Sequence, residues 1–432
     1  MPLKSDQELK KMEELFDELW PICRSLTGQG VRDTLDIIDR FVPLIRHEAP
    51  SGSKVFDWEV PKEWNIRDAY ILTPDGKKVA NFQENNLHVL NYSIPINRTV
   101  SKAELSEHVY TLKTMPDAIP YVTSYYREKW GFCLSENVWN SLPEEGDYQV
   151  VIDSTLEPGK LDYAEAILPG NSKKEIMFST YVCHPSMANN ELSGPLAAIF
   201  LYDRLSRWEN REFTYRFVFA PETIGVIAFL AKSGDHLKKE LEAGYVMTCC
   251  GDRGNMTYKR SKHEHASCDQ IATHVLRHSG YEHKVIPFAV GGSDERQYCS
   301  PGFNLPVGSL MRTPYQKYKE YHTSLDNKEF ISFKHLQELV DTYEQICAAH
   351  ELNGFYFNEV QFCEPQLGKR GLYPDSTSPE DPREEIHRML DFLSYADGKT
   401  SLVEIADRIG HPIWKYQGLI EKCMQAGLVR KG

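Results

Sequence analysis

The chain reads as an α/β protein built on a mostly parallel, helix-covered sheet. Two observations predict this. From Lys173 onward, apolar strand-like runs alternate with helical patterns, the order that generates parallel sheets. Acid-, amide- and histidine-bearing segments then fall at the ends of those runs, where open α/β sheets place ligands.

The strands are expected at 175–182, 215–220, 245–250, 285–289 and 305–310, and the helices near 194–208, 226–243, 268–279 and 332–350. Ahead of them, Leu9, Met12, Leu15, Phe16, Leu19 and Trp20 recur at helical spacing, and Val31, Leu35, Ile38 and Val42 repeat the pattern. The stretch 54–165 changes character to short β runs such as Val55–Val60 and Ala69–Leu72, with Thr73-Pro74-Asp75-Gly76 as a turn and clustered tyrosines and tryptophans. It reads as a β-rich insert in an α/β domain made of 1–53 and 166–362. The insert either covers a cleft or pairs subunits.

A linker is expected at 363–384, where Pro365, Gly368, Gly371, Pro374, Pro379 and Pro382 punctuate the chain. Residues 385–432 then carry three short helical patterns and resemble a winged helix, the second surface on which self-association is expected.

Composition narrows the function classes. A 432-residue chain with 41% hydrophobic and 26% charged residues is long enough for two or three cored domains. A net charge of -13 opposes a nucleic-acid partner, because phosphate contacts need a basic face. Around 413–426 only Lys415 and Lys422 stand against Glu421, too little for a recognition helix. No apolar run reaches the ~20 residues of a membrane helix. Ten cysteines without CxxC pairs suit a reducing compartment, and a cytoplasmic location is expected.

The chemistry gathers at five strand ends: Cys183-His184-Pro185-Ser186 through Asn189-Asn190-Glu191-Leu192-Ser193-Gly194; Pro221-Glu222-Thr223; Gly251-Asp252-Arg253; Ser293-Asp294-Glu295-Arg296; and Tyr321-His322-Thr323-Ser324-Leu325-Asp326. His263-Glu264-His265 reads instead as a solvated segment, since residues two apart do not share a helix face. Cys249-Cys250 reads as strand packing.

In motif order, in the Ser193-Gly194 helix start and in the Tyr321–Asp326 segment, the chain resembles the zinc-dependent exopeptidases of the leucyl aminopeptidase and glutaminyl cyclase superfamily. With its insert and C-terminal winged helix it looks like a bacterial aminopeptidase-like group often encoded near polysaccharide biosynthesis genes. The resemblance implies His184 as the first zinc histidine, Asn190 at the bridging carboxylate, Glu222 as general base, Thr223 at a second-metal carboxylate, Asp252 as a zinc aspartate and His322 as the last zinc histidine. Ser186, Asn190 and Thr223 replace acids. Bridging two divalent ions takes anionic oxygens, so one Zn2+ ion is expected. His184, Asp252 and His322 supply three ligands, with Glu191 a neighbouring acid able to stand in for Asn190. Asp294 and Asp326 are expected to orient ligands. Arg296 and Arg312 either form ion pairs or receive a substrate carboxylate. Tyr321 is placed beside the substrate.

The function expected is cleavage of an amide bond in a small peptide or amide-bearing metabolite. The alternative is a catalytically altered relative acting as a binding or assembly protein, in a setting such as polysaccharide biosynthesis.

Overall fold

The computed structural model describes residues 6–373 and 382–432, so Pro374 and Pro379 of the expected linker lie outside the described residues. The chain forms two compact units, 1–268 with 282–341, and 269–281 with 342–432.

The first unit is organised by an eight-stranded sheet of β1 (Ile45–Pro50), β2 (Lys160–Leu168), β3 (Glu175–Tyr181), β4 (Thr214–Ala220), β5 (Leu241–Val246), β6 (Met256–Lys259), β7 (His283–Ile286) and β8 (Val307–Met311). Their order across the sheet is β1-β2-β4-β3-β5-β8-β6-β7. The centre, β4-β3-β5-β8, is parallel. Around it β1, β2 and β6 join antiparallel, while β6 and β7 pair parallel, in keeping with the mostly parallel sheet expected. The sheet is therefore mixed, with a parallel middle.

Sequence explains the middle. Every residue of β3 is buried, as a strand covered on both faces requires. The helix Ser193–Ser206 that follows is buried nearly all round, and its residues are correspondingly apolar on most sides. Its start demands Gly194: a Cβ there would lie 2.3 Å from Thr180 Oγ1 and 2.4 Å from the Met247 carbonyl oxygen. The helix thus docks directly on β3 and the segment after β5. The strand expected through residue 250 ends at Val246, and Cys249 turns the backbone with φ +51°.

The 54–157 region folds around a four-stranded antiparallel sheet, in the order Lys78–Val79, Glu63–Leu72, Asp147–Glu157, Ile96–Ser101. Its Trp64, Tyr92 and Tyr148 belong to one continuous apolar cluster with Tyr163, Met177 and Val218 of the large sheet. The insert and the α/β scaffold therefore share a core.

The second unit contains a three-stranded sheet whose middle strand, Phe355–Asn358, lies upstream of the Pro/Gly-rich stretch and pairs with Asp397–Ser401 and Val429–Lys431. The helix Leu402–Ile409 starts with a Ser401–Glu404 capping box and ends at Gly410 in left-handed conformation, φ +83°. His274 ties this unit internally. Its Nδ1 contacts Asp407 Oδ1 at 2.6 Å and its Nε2 accepts from the Ile413 N–H at 2.8 Å. No helix among the described residues is long and apolar enough to cross a membrane.

Candidate active site

β3 delivers Cys183 and His184, and a wide π-type turn, Ala188–Leu192, then carries Asn189, Asn190 and Glu191 into the interior. Asp326 fixes that turn. Its carboxylate accepts from Asn189 N at 2.6 Å and Asn190 N at 2.9 Å, and its carbonyl accepts from Ala188 N at 2.9 Å. Burial pushes the Asp326 carboxyl up to about 7.

His322 arrives from a loop that the insert holds. Tyr121 N donates to the His322 carbonyl at 2.8 Å, Ser324 N to the Ile119 carbonyl at 2.8 Å, and Ile119 N to Ser324 Oγ at 3.0 Å. The rings of His184 and His322 lie 5.4 Å apart, and Tyr121 sits 5.2 Å from each. Tyr321 stacks flat on His322 at 3.9 Å. Ser186, Thr223, Cys249 and His322 all adopt left-handed φ values between +47° and +64°. Such conformations cost roughly 1–3 kcal/mol each in a non-glycine residue and cluster where a fold must aim side chains.

His184 Nδ1 lies 3.1 Å from Glu191 Oε2, and its Nε2 lies 3.6 Å from Glu222 Oε2. Beneath this pair is a residue that sequence reasoning missed. Arg24 is completely buried, its Nε donates to the His184 carbonyl at 3.0 Å, and the same Nε lies 3.5 Å from Glu191 Oε1. Burial pushes the Glu191 carboxyl up to about 8 against the pull of Arg24. Burial and then the Arg24 charge push the His184 imidazole down to about 3. Burial, followed by the field of His184, takes His322 to about 3 as well. Both histidines are neutral, the form that offers a lone pair.

Glu222 leaves β4 with about a quarter (24%) of its side chain open. Low-dielectric walls raise its carboxyl to about 7, with Arg296 opposing and Glu295 and Glu191 adding. Asp294 is buried beside it. One oxygen accepts from Thr223 N at 2.8 Å, the other has no partner, and burial plus Glu222 pushes its carboxyl well up. Arg296 donates to Thr223 Oγ1 at 2.8 Å and the Gly292 carbonyl at 2.6 Å, and shares a cavity with Glu222.

Two residues expected as ligands have protein partners of their own. Asp252 accepts from Thr313 N (3.0 Å), Thr313 Oγ1 (2.7 Å), Gly254 N (2.6 Å) and Asn189 Nδ2 (2.9 Å), so both oxygens are committed to scaffold. Glu191 faces His184 through Oε2 and Arg24 through Oε1. Arg312 ties the carbonyls of His335 and Gly254 to Glu338 and does not reach the cleft group. His263 donates to or accepts from nothing in the cleft; its Nε2 meets the Asn304 carbonyl at 2.8 Å.

Among the described residues, the His, Cys, Asp and Glu ligand atoms lying within 4.8 Å of one another form two sets, Cys183–His184–Glu191 and His274–His278–Asp407. The first is a poor cation site. Its His184 nitrogen is the one committed to Glu191, burial keeps the Cys183 thiol protonated, and Arg24 already supplies the positive charge. In the second, both His274 nitrogens are occupied. The nitrogen and oxygen atoms on the other side of the imidazoles are His184 Nε2, His322 Nε2 and Asn190 Oδ1, with Glu222 as the adjacent charge; His322 Nε2 and Asn190 Oδ1 are hydrogen-bonded at 2.8 Å, so His322 would ligate only with its proton moved to Nδ1.

The family profile described as a domain of unknown function, DUF4910, matches residues 13–353. The chain belongs to this family. A winged helix-turn-helix profile matches residues 355–431. A Clostridium acetobutylicum protein described as a proposed polysaccharide biosynthesis protein with an aminopeptidase-like domain is 48% identical over 396 residues, covering 92% of this chain and 90% of that protein. A crystal structure of a proposed peptidase from the same organism superposes with a TM-score of 0.92 at 44% identity, over 99% of this chain and 97% of that one. The Bacillus subtilis zinc aminopeptidase shares the fold, with a TM-score of 0.59 at 11% identity, covering 81% of this chain and 95% of the enzyme. This DUF4910 member therefore pairs an aminopeptidase-like domain with a C-terminal winged helix.

Proposed function

We propose that this protein is a hydrolase that cleaves an amide bond in a small peptide or amide-bearing metabolite, using one zinc ion. The observation that carries the reading is the meeting of His184 and Glu222, at the carboxyl ends of two parallel strands, with His322 from a loop, both imidazoles being neutral and Glu222 poised at about 7. His184 Nε2, His322 Nε2 and Asn190 Oδ1 are the groups that would hold the ion. When bound, zinc supplies Lewis acidity to a substrate carbonyl and lowers the pKa of water.

The chain's own residues supply the proton handling. Glu222 takes a proton from the attacking water as the carbon–oxygen bond forms, then returns it to the amine nitrogen as the carbon–nitrogen bond breaks. A carboxyl near 7 can do both at neutral pH. Glu191 keeps the His184 proton on Nδ1, and Tyr121 and Tyr321 shield the imidazoles. The name of the Clostridium relative supports an amide borne on a precursor of polysaccharide biosynthesis. Ten free cysteines support a reducing, cytoplasmic setting. The test is Glu222→Gln in a zinc-loaded preparation: amide hydrolysis should fall by at least about 100-fold, and full retention sinks the mechanism.

A second reading has an observation of its own. Ser186, Asn190 and Thr223 are uncharged and Arg24 is buried under the site, a combination that favours a binding protein with a repurposed cleft. Metal analysis separates the two. Failure to retain zinc from an ample supply favours the binding protein.

A further inference from the structure

The cavity holding Glu222 is walled by Trp58, Tyr125, Tyr126 and Arg296 and has a volume of about 220 Å³. It has a neighbour on each side. Across Tyr125 and Tyr126 lies a cavity of about 330 Å³ that also meets Lys62, Glu59 and Glu128. Across Trp58 lies one of about 470 Å³, bounded by Phe56, Phe303, Asp235, Lys238 and Gln297. Tyr125 and Tyr126 line the first and second cavities and Trp58 lines the first and third, so the three adjoin along aromatic walls with Glu222 in the middle one.

The insert supplies the dividing rings. Phe56 and Trp58 project from the hairpin of Lys54–Val55 and Trp58–Glu59. Phe56 holds φ +57°, an unfavourable value for a bulky aromatic residue, while its ring meets Phe303 edge-on at 5.5 Å. Tyr126 is anchored by its hydroxyl donating to the Glu59 carbonyl at 3.0 Å. The rings are nevertheless open to solvent: Phe56 is 61% exposed, Trp58 43% and Tyr126 52%. Open aromatic residues at the rim of a catalytic cleft are available for stacking rather than for core packing.

The geometry points to a trough that binds a short oligosaccharide, with the sugar carrying the acylated amino group placed over Glu222. This rests on the reading of the Glu222 cleft as the reaction site. Aromatic faces pack against the C–H faces of pyranose rings. The charged and amide side chains beside them (Lys62, Glu128, Asp235, Lys238, Gln297) pair with ring hydroxyls. A fatty acyl chain would require an enclosed aliphatic tunnel, and these walls are aromatic and open. A dipeptide would fill only the middle compartment, leaving both flanking cavities without a role.

The test is calorimetric titration of the full-length Glu222→Gln protein with N,N′,N″-triacetylchitotriose, and separately with trialanine. Substitutions Trp58→Ala and Tyr126→Ala are added singly, with circular dichroism as the control for folding. Chitotriose should bind, and each aromatic substitution should weaken it about tenfold. Binding of trialanine alone, chitotriose binding indifferent to both substitutions, or no chitotriose binding overturns the inference. Binding is read without turnover, so the outcome is independent of whether wild-type protein hydrolyses an amide. Saccharide binding with no hydrolysis would retain the trough and discard the hydrolase. Amide hydrolysis with no saccharide binding would do the reverse.

Discussion

Arg24 and Glu191 form an ion pair with neither side chain exposed, Nε to Oε1 at 3.5 Å, while the other Glu191 oxygen lies 3.1 Å from His184 Nδ1. The pair is incompletely satisfied, since Arg24 Nη2 and Glu191 Oε1 have no hydrogen-bond partner. Removing one member of such a pair strands the other in a low dielectric. Glu191→Leu leaves the guanidinium charged and unpaired and should therefore cost about 3–5 kcal/mol in chemical denaturation, and Glu191→Leu combined with Arg24→Met should recover part of it. A single Glu191→Leu variant as stable as wild type contradicts the pair's structural role.

Glu191 acts on His184 by fixing its tautomer. Glu191→Ala frees the imidazole and should weaken zinc binding by about 10–100-fold, the usual effect of losing such a support. Glu191→Gln, which still offers an acceptor to Nδ1–H, should weaken it far less. Competition against a chromophoric chelator measures both. Equal losses in the two variants point to Glu191 as a direct ligand.

Local geometry was legible in the sequence where a short motif carries it. Ser193-Gly194 marks a helix that must approach β3 closely, and Tyr321–Asp326 holds both a site histidine and the carboxylate that caps Asn189 and Asn190. It was not legible where the relevant partner is remote. Arg24 lies 160 residues from the His184 carbonyl it binds, and a lone arginine in a short segment reads as surface. The surroundings of Asp252 were hidden for a different reason. It looks like a strand-end acid, but β5 ends six residues earlier, Cys249 takes φ +51°, and the carboxylate accepts from Thr313 and Gly254. Tyr121 and Trp58 could not be placed because an insert's packing against a distant cleft leaves no periodic signal.

Asn190 is the position where the lost charge matters most. Its Oδ1 meets His322 Nε2 at 2.8 Å, and its Nδ2 donates to the Tyr181 hydroxyl at 2.8 Å. Asn190→Asp adds an anionic oxygen there and should tighten zinc binding at least about tenfold. Chelator competition with metal analysis reads it. Unchanged affinity places the ion elsewhere.

Acid stability follows from a buried histidine outside the cleft. Burial pushes His350 down to about 3 from its ordinary 6.5, so the folded protein keeps it neutral while the unfolded chain protonates it. Its contribution to stability is fully present above pH 6.5 and is lost as pH falls towards 3, at about 1.4 kcal/mol per pH unit. His350→Gln should make the acid limb of a stability–pH curve shallower by up to one proton. Superimposable limbs would exclude the effect.

Asp252 separates scaffold from ligand most cleanly. Its two oxygens take four donors from Asn189, Gly254 and Thr313, and Asn189 in turn accepts from the Gly251 and Asp252 backbone N–H groups at 2.9 and 3.1 Å. Asp252→Asn exchanges an acceptor for a donor that faces other donors, so stability should fall by about 1–3 kcal/mol. Zinc affinity, measured on the folded fraction, should stay within about twofold, since that much is under half a kcal/mol of binding free energy. A tenfold or larger loss of affinity in a variant of undiminished stability would restore Asp252 as a ligand and move the ion away from Asn190.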